Sequence, residues 1–415
     1  MLLALLLAQS LIEPDGPIYS DPSRMNSYAF FEFAPTSGAG MGAPCACTAV
    51  TGARGEAMTL TRGSSAYCTK EGLATTGLTT TSMVYCGSNL PRAEYDSNGV
   101  LGTLTEESRT NSALRSEELD NAAWSSTTTA GPLTVTANYA TSPANTATAE
   151  RLEISACSVA DTQSIRLQTT ALAASATHSI YARGTSGTAS FSLCAFAGVG
   201  GTCTVCSVVA GSWSRCSVSL ATASAQSIVL GCNNNPAYAG ASNTGAADIV
   251  VWGAQVEAGT FATSYIPTTS AAVTRSVDLV VEFLTVTTTS LASAGSAAIS
   301  VTPLAAANIN GALVYMGGNG RPIYAPSAAS VRMFDGTNDL ALAPGFVAGT
   351  TKRYWSSWAG SSQTITNVTD VTQATGSFDG AMQTATLNVG SNFGSGPGNW
   401  IVSRVCLDPN PLRCR

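Results

Sequence analysis

The sequence predicts an all-β fold, with tandem antiparallel jelly-roll β-sandwiches preceded by an extended N-terminal arm and a small β region. Ala, Thr, Ser and Gly dominate the 415 residues, and only 11% of residues are charged, against roughly 25% in an average domain. Short alternating runs of apolar and polar residues recur between turn-forming residues, which is typical of β-sandwiches. The length suits two or three domains better than one.

The charge distribution argues against two classes of partner. The formal net charge is −6, lysine occurs only at Lys70 and Lys352, and the sequence contains no block of basic residues. We therefore expect neither a nucleic-acid partner nor attraction to an anionic membrane. The apolar run at residues 1–8 is too short to span a bilayer. It is open to two interpretations, a signal peptide or a short anchor that docks into another subunit.

Residues 1–44 form the predicted arm, which prolines and glycines interrupt repeatedly. Its aromatic side chains either pack on the chain's own domains or dock onto a partner, since exposed apolar patches mark interaction sites. On the second interpretation they anchor the protein to a particle. The candidate anchoring residues are Tyr28, Phe30, Phe31 and Phe33.

Residues 45–115 form the predicted small β region, with strand-like runs at 57–62, 82–86 and 99–104. Ser116 is a candidate N-cap, and the acids after it suit the start of a short helix that ends near Trp124.

Two acidic pairs in this part of the chain resemble catalytic carboxylates, but neighbouring residues rarely face one site. We interpret both pairs as exposed acids of the kind found at helix starts. They are Glu106-Glu107 and Glu117-Glu118.

Residues 116–275 carry about eight strand-like runs with turn-rich links, which suits a two-sheet jelly roll. The run 249–252, Ile-Val-Val-Trp, is dense in β-branched and aromatic residues and indicates the last buried strand. We expect Trp252 to lie in the core. Pro267 then ends regular pairing, because proline donates no ladder hydrogen bond.

Residues 276–415 carry a second all-β pattern, the second concanavalin-like sandwich. Tyr354, Trp355 and Trp358 fall in one strand-like run, where alternation turns at least one ring toward solvent. These three are the candidate carbohydrate-binding residues, because a ring face stacks on the C–H surface of a sugar.

Asp335, Asn338 and Asp339 offer the oxygen ligands that calcium prefers. Asp335 precedes Gly336, however, and a tight Asp-Gly hairpin turn is the interpretation that we favour.

The twelve cysteines, an even number, suggest disulfides without giving their connectivity. Cys203 and Cys206 have the spacing of a redox or metal motif. No second such pair follows, and His178 is the only histidine, so we expect structural bridges or buried sulfur in place of zinc. We predict no metal, no cofactor and no catalytic residue, since one histidine excludes most catalytic triads.

Three runs carry a family resemblance: MTLTRGSSAYCTKEG at 58–72, NLPRAEYDSNGVLGTLTEESRTNSALRSEELDNAAW at 89–124, and WGAQVEAGTFATSYIPTTSAAVTR at 252–275. Together they resemble tailed-bacteriophage virion proteins. Those proteins carry a FTRAS-A-Y-D-G opening, a PRFDYD step, a GLLIEEARTNLL segment and an SEDFDNAAW start of a jelly roll, which closes with W-GAQLE-G-FPTSYIPT-A-VTR. The resemblance covers roughly residues 55–278, although Thr105 replaces a branched apolar residue and Ser108 replaces alanine.

The resemblance implies a structural virion protein: a tail fibre, a spike or a capsid decoration protein. It further implies other virion proteins as partners (coat, portal or tail component), a homotrimer, and host surface glycans as a further class of partner. The C-terminal strands resemble concanavalin-like, laminin-G-type jelly rolls. A secreted carbohydrate-binding adhesin is the alternative, and a polysaccharide depolymerase is disfavoured because no β-helix repeat is present.

Overall fold

The computed structural model describes residues 29–32, 47, 59–69, 79, 82–95, 101–198, 200–282, 289–304, 311–316, 320–343, 345–379, 382, 387–391, 399–408 and 414. Strands dominate these residues, and the predicted all-β fold of tandem sandwiches is confirmed. The one helix among them is α1, Thr289–Ser293. No helix in these ranges is long and apolar enough to cross a membrane.

The jelly roll packs two sheets face to face. The first has five strands, in the spatial order β15 (Ser214–Leu220), β12 (Ala176–Gly184), β18 (Ala247–Ala258), β10 (Ala149–Ile154) and β9 (Leu133–Ala140). The second has six strands, in the order β17 (Tyr238–Gly240), β14 (Gly200–Val209), β13 (Thr188–Ala197), β16 (Ser227–Asn233), β11 (Gln163–Thr169) and β8 (Ser125–Thr128). Every ladder is antiparallel except β14 with β17.

The strand that closes the jelly roll, β18, is central to the five-stranded sheet and is buried on both faces. Ile249 and Val251 face the core between the two sheets, while Val250 and Trp252 face an aromatic layer on the other side. The prediction that Trp252 is buried is therefore confirmed. Gly253 lies where the β12 register shifts, at φ 68°, so a residue without a side chain suits this bulge.

The second sandwich also packs two sheets. The larger contains, in order, β28 (Thr372–Ser377), β27 (Ser362–Asn367), β26 (Lys352–Ala359), β21 (Ala294–Pro303), β30 (Trp400–Asp408), β6 (Leu101–Thr105) and β5 (Arg92–Tyr95), with β1 (Ala29–Glu32) as its eighth strand on β30. The other contains β2 (Thr59–Thr61), β20 (Leu279–Glu282), β29 (Leu387–Ser391), β22 (Gly311–Tyr315), β23 (Arg321–Ser327), β24 (Ser330–Phe334) and β25 (Asp339–Leu342).

Strands from the N-terminal quarter thus complete the second sandwich. β6 and β1 lie end to end along one edge of β30, pairing with residues 400–402 and 404–407, and β2 forms the edge of the opposite sheet by pairing with β20. The small β region predicted at residues 45–115 therefore shares its sheets with residues 276–415. The jelly roll is an insertion in the chain of the second sandwich.

Two short ladders lie between the sandwiches. One is the hairpin of β3 (Ala66–Thr69) with β4 (Met83–Cys86), and the other joins β7 (Arg109–Asn111) to β19 (Val273–Arg275).

The short helix expected after Ser116 is wrong, because residues 112–124 form turns and bends. The Ser116 hydroxyl bonds the hydroxyl of Tyr265 at 2.6 Å and accepts from the N–H of Thr268 at 2.9 Å. These bonds to the exit segment of the jelly roll take the place of a helical cap.

Candidate functional site

The predicted carbohydrate-binding cluster requires correction, because its three side chains are buried. Tyr354 is 0%, Trp355 6% and Trp358 1% exposed. Tyr354 and Trp358 belong to the core between the two sheets of the second sandwich. None offers an open ring face on which a sugar can stack.

The alternation that motivated the prediction is nevertheless present in β26. Trp355 points away from that core, on the opposite face of the strand from its two aromatic neighbours. That face is covered, since Trp355 packs against Cys406 and Cys414, which form a disulfide. Cys414 and its bridge to Cys406 thus cover the face that the sequence pattern left to solvent.

The arm aromatics divide between described and undescribed residues. Phe30 and Phe31 lie on β1, where their backbone pairs with Cys406 and Val405 of β30. Tyr28 and Phe33 lie outside the described residues. This part of the arm is therefore hydrogen-bonded to the chain's own second sandwich.

Asp335 makes the hydrogen bonds of a turn. Its Oδ1 accepts from the N–H of Thr337 at 2.9 Å and of Asn338 at 2.6 Å. Asp339 instead binds Arg332, whose Nη1 lies 2.5 Å from Asp339 Oδ2. The Asp-Gly turn interpretation agrees with these contacts.

The cysteines form disulfides, and Cys203 and Cys206 have different partners. The described bridges are Cys47–Cys86, Cys157–Cys232, Cys194–Cys203, Cys206–Cys216 and Cys406–Cys414. The pair therefore supplies two structural bridges between strands, as expected from the sequence.

A buried charge cluster joins the two sandwiches. Its carboxylates accept hydrogen bonds from arginines far away in sequence: Arg92 Nη1 donates to Glu106 Oε2 at 2.7 Å, and Arg62 Nη1 donates to Asp278 Oδ1 at 2.8 Å. Arg92 also pairs with Asp278. All members are at most 1% exposed; they are Arg62, Arg92, Glu106, Glu257, Arg275 and Asp278.

Three arginines and three carboxylates balance the formal charge of this cluster. Burial favours a higher pKa for Glu106, but Arg275 and Arg92 outweigh it, and with hydrogen bonds from Ser264 they lower that pKa to about 2. Ser264 donates to Glu106 through its N–H at 2.8 Å and its hydroxyl at 2.6 Å. Our interpretation of Glu106 as an exposed helix-start acid is wrong, because it is a fully buried structural anion.

An exposed surface with binding chemistry lies on the outer side of the five-stranded sheet. Strand alternation sends Leu152 and Ile154 of β10 into the core, so Arg151 and Glu153 face outward. Neighbouring strands place Thr134 beside Glu153 on one side and Asp248 beside it on the other. We call this surface the outer polar face; it comprises Thr134, Thr136, Tyr139, Arg151, Glu153 and Asp248.

Arg151 organises the outer polar face. Its Nε and Nη2 donate to the two carboxylate oxygens of Asp248 at 2.8 and 2.7 Å, and Nη2 lies 3.1 Å from Glu153 Oε1. The hydrogen bond from Arg151 is the main cause that lowers the pKa of Asp248. The guanidinium Cζ also lies 5.4 Å from the centroid of the Tyr139 ring, a distance at which cation and ring attract.

Tyr139 is 48% exposed, so its ring remains accessible while the cation holds it. The two carboxylates that Arg151 binds, Glu153 and Asp248, line an open cavity of about 500 Å³. The remaining wall consists of Pro132, Thr134, Ile154, Ser155, Ala246 and Ala247. Small apolar groups with a few fixed polar groups are typical of ligand sites.

Two further titratable groups lie inside the jelly roll. His178 is 0% exposed, its Nε2 lies 2.7 Å from Gln226 Oε1, and burial lowers its pKa to about 4. Glu150 is 2% exposed, and burial followed by the neighbouring Asp120 raises its pKa to about 9. At neutral pH both side chains are uncharged, which suits groups held in a core.

Sequence reasoning missed the outer polar face, although a signal was present. Thr134 and Thr136 alternate with Leu133 and Val135 on β9, and Arg151 and Glu153 alternate with apolar residues on β10. The pattern marks one polar side of each strand. It does not show that β9, β10 and β18 are neighbours, which is what assembles the surface.

No protein-family model matches the chain, and neither does any curated protein. Among solved structures, the chain is similar to the N-terminal CBM22-1–CBM22-2 tandem domain of Paenibacillus barcinonensis Xyn10C. The identity is 10%, the TM-score is 0.26, and the match covers 74% of this chain and 97% of that one.

Proposed function

We propose that this chain is a non-catalytic attachment protein whose jelly roll binds carbohydrate on the outer polar face. The observation that carries the proposal is the half-exposed ring of Tyr139 against Arg151, whose two carboxylate partners, Glu153 and Asp248, line an open cavity. A ring face packs against the C–H side of a sugar, and charged groups bind its hydroxyls through strong hydrogen bonds.

The arrangement is fixed before any ligand arrives. Arg151 is held by both oxygens of Asp248, so its guanidinium plane is set by the sheet. A preorganised site loses less conformational entropy on binding than a mobile one. Glu153 and Asp248 also retain exposed area, at 45% and 42% of their side chains, so they can accept further hydrogen bonds.

The absence of catalysis is part of the proposal. His178, the only histidine of the chain, is fully buried and bonded to Gln226. Glu150, the acid with the most raised pKa among the described residues, is 2% exposed. Neither reaches a substrate, and a catalytic acid or base must come within hydrogen-bond distance of the proton that it moves.

We place the protein in a phage particle, as a homotrimeric fibre, spike or decoration protein in contact with a coat, portal or tail component. The resemblance to tailed-phage virion proteins supports this setting. Five residues of those motif runs belong to the buried charge cluster: Arg62, Arg92, Glu106, Glu257 and Arg275. These motif residues form the buried contact between the two sandwiches, which we call the joint. A motif with this role suits a structural protein.

A glycan array probed with the purified full-length chain tests the binding. We expect binding to a subset of surface polysaccharides, and Tyr139→Ala should weaken it about tenfold. Tyr85→Ala is the matched control, since Tyr85 is 52% exposed and is not a residue of the outer polar face. An array without any binding, or equal binding by Tyr139→Ala and wild type, contradicts the proposal.

The particle setting has a separate test. Quantitative mass spectrometry of purified particles should find the chain at a fixed copy number that is a multiple of three. A chain that is released freely into the medium and absent from particles supports the secreted adhesin instead.

A further inference from the structure

A cluster of cysteine sulfurs holds the β3–β4 hairpin. The Sγ atoms of Cys47, Cys68 and Cys86 all lie within 4.8 Å of one another. Cys68 and Cys86 are 0% exposed. Cys47 and Cys86 form a disulfide, and Cys68 is disulfide-bonded as well.

The hairpin depends on this cross-linking because it has little apolar core of its own. Cys68 and Cys86 form a small buried apolar cluster, and Cys47 and Val84 pack against it. An isolated two-stranded hairpin is marginally stable in water. Without the sulfur cluster, the two strands would keep their short backbone ladder and the contact between the Tyr67 and Tyr85 rings.

The position of the hairpin matters to the rest of the molecule. Tyr67 and Met83 supply part of the aromatic layer on Trp252. The buried charge cluster also uses its backbone: Arg92 Nη1 donates to the Tyr67 carbonyl at 3.1 Å, and Arg62 Nη2 donates to the Gly87 carbonyl at 2.8 Å. Loss of the hairpin would open the joint between the sandwiches to water.

We propose that, in a reducing compartment, Cys47, Cys68 and Cys86 bind one zinc ion in place of their disulfides. Thiolates are preferred zinc ligands, and Zn–S bonds of about 2.3 Å place two sulfurs of a tetrahedron about 3.8 Å apart. The sulfurs of Cys86 and Cys68 are already 3.7 Å apart. A water molecule can take the fourth position of the tetrahedron.

The chemistry balances with a thiol reductant. Two monothiols, or one dithiol, give two electrons and two protons to the Cys47–Cys86 bond, and the reductant leaves as its own disulfide. The bridge of Cys68 is reduced in the same way. Zinc then binds the three sulfurs as thiolates, and three protons pass to water.

This gives the hairpin two alternative cross-links, since reducing compartments disfavour disulfides and oxidising ones favour them. Zinc holds the hairpin during synthesis in a reducing cytoplasm, and disulfides hold it after exposure to an oxidising medium. The inference stands independently of the carbohydrate site, because no residue is shared between them.

The test uses the full-length chain, produced in a reducing cytoplasm and purified with a phosphine reductant. We expect about one zinc per chain by elemental analysis. Peptide mapping should show Cys47, Cys68 and Cys86 protected from an alkylating reagent until a chelator is added. Titration with cobalt should give the charge-transfer absorption of a thiolate complex.

Variants assign the metal to the cluster. Cys86→Ser should abolish zinc retention, whereas the double variant Cys406→Ser/Cys414→Ser should keep it. The inference is overturned if the wild-type chain carries no zinc while its three cysteines react as free thiols, or if they remain disulfides after reducing expression. Zinc retained equally by Cys86→Ser also overturns it.

Discussion

Arg92 Nη1 lies 2.7 Å from Glu106 Oε2, and both side chains are completely buried between the two sandwiches. Glu106 also pairs with Arg275, whose Nη1 lies 3.0 Å from Oε2. Because these charges have no access to water, each depends on its partners for stabilisation. Removing one partner leaves the others buried without compensation, which is more costly than losing an exposed pair.

Glu106→Gln should therefore destabilise the fold by about 3–5 kcal/mol. The amide keeps the shape of the side chain but leaves Arg92 and Arg275 without their shared anion. Urea unfolding measures the effect. Arg332→Gln is the control, since its pair with Asp339 is about one-third exposed, and it should cost under about 1 kcal/mol. Equal effects of the two variants would contradict a structural role for the cluster.

Acid should weaken the same joint. The pKa of Glu106 is lowered from its ordinary 4.5 to about 2, so its ionised form stabilises the folded state above the unfolded pKa. That stabilisation is lost as pH falls from about 4.5 toward 2. The difference in urea midpoint between wild type and Glu106→Gln should shrink over this range. A constant difference from pH 6 to pH 2.5 would show that the charge of Glu106 does not matter.

Glu150 should have the opposite pH dependence. Its pKa is raised from 4.5 to about 9, so between these values the unfolded chain releases a proton that the folded chain retains. Wild-type stability therefore falls as pH rises from about 4.5 to 9. Glu150→Gln should raise the Tm at pH 8 and leave it nearly unchanged at pH 4. Glu153→Gln, with a half-exposed side chain on the same strand, is the control and should change little at either pH.

Two disulfides that involve strands of the six-stranded sheet should differ in their contribution to stability. Cys157–Cys232 spans 75 residues, and Cys194–Cys203 spans 9. Loop-closure entropy predicts losses of about 4.5 and about 2.5 kcal/mol when each pair is replaced by alanine. Guanidinium unfolding of the two double variants measures both values. A larger loss from the short loop would indicate that packing of the sulfurs outweighs the entropy of the unfolded chain.

Asp248→Asn should weaken carbohydrate binding severalfold without unfolding the jelly roll. The substitution removes the charge that fixes both guanidinium donors of Arg151 and thereby the position of the Tyr139 ring. Titration calorimetry with a glycan identified on the array gives the affinity. Asp339→Asn is the matched control, because Asp339 also pairs with an arginine but lies in the other sandwich. Unchanged affinity in Asp248→Asn would remove the outer polar face as the site.

Local pattern was enough to predict individual strands. The apolar run 249–252 lies within β18, and Trp252 is buried as expected. Such patterns report which positions alternate between two faces, and they succeed where burial follows from neighbours along the strand.

Local pattern does not predict whether the second face of a strand is buried, because the residues that cover it come from elsewhere in the chain. Trp355 does point away from the core of its sandwich, but the disulfide Cys406–Cys414 lies on it. Arg92 finds Asp278 across 186 residues. Nothing in the sequence around Arg92 or Asp278 indicates that the two side chains pair, so the charge cluster was not predicted.

The edge that β1 and β6 share along β30 has a consequence for biosynthesis. Thr105 of β6 pairs with Trp400 of β30, and 295 residues separate them. At ribosomal speeds of 5–20 residues per second, β6 waits about 15–60 s for its partner strand to emerge. The jelly roll can close on itself during that interval, while β1 and the edge of β6 that pairs with β30 remain without their partner strand. A nascent chain of this topology therefore has a long window in which its free strand edges invite aggregation, and chaperone supply should limit its yield.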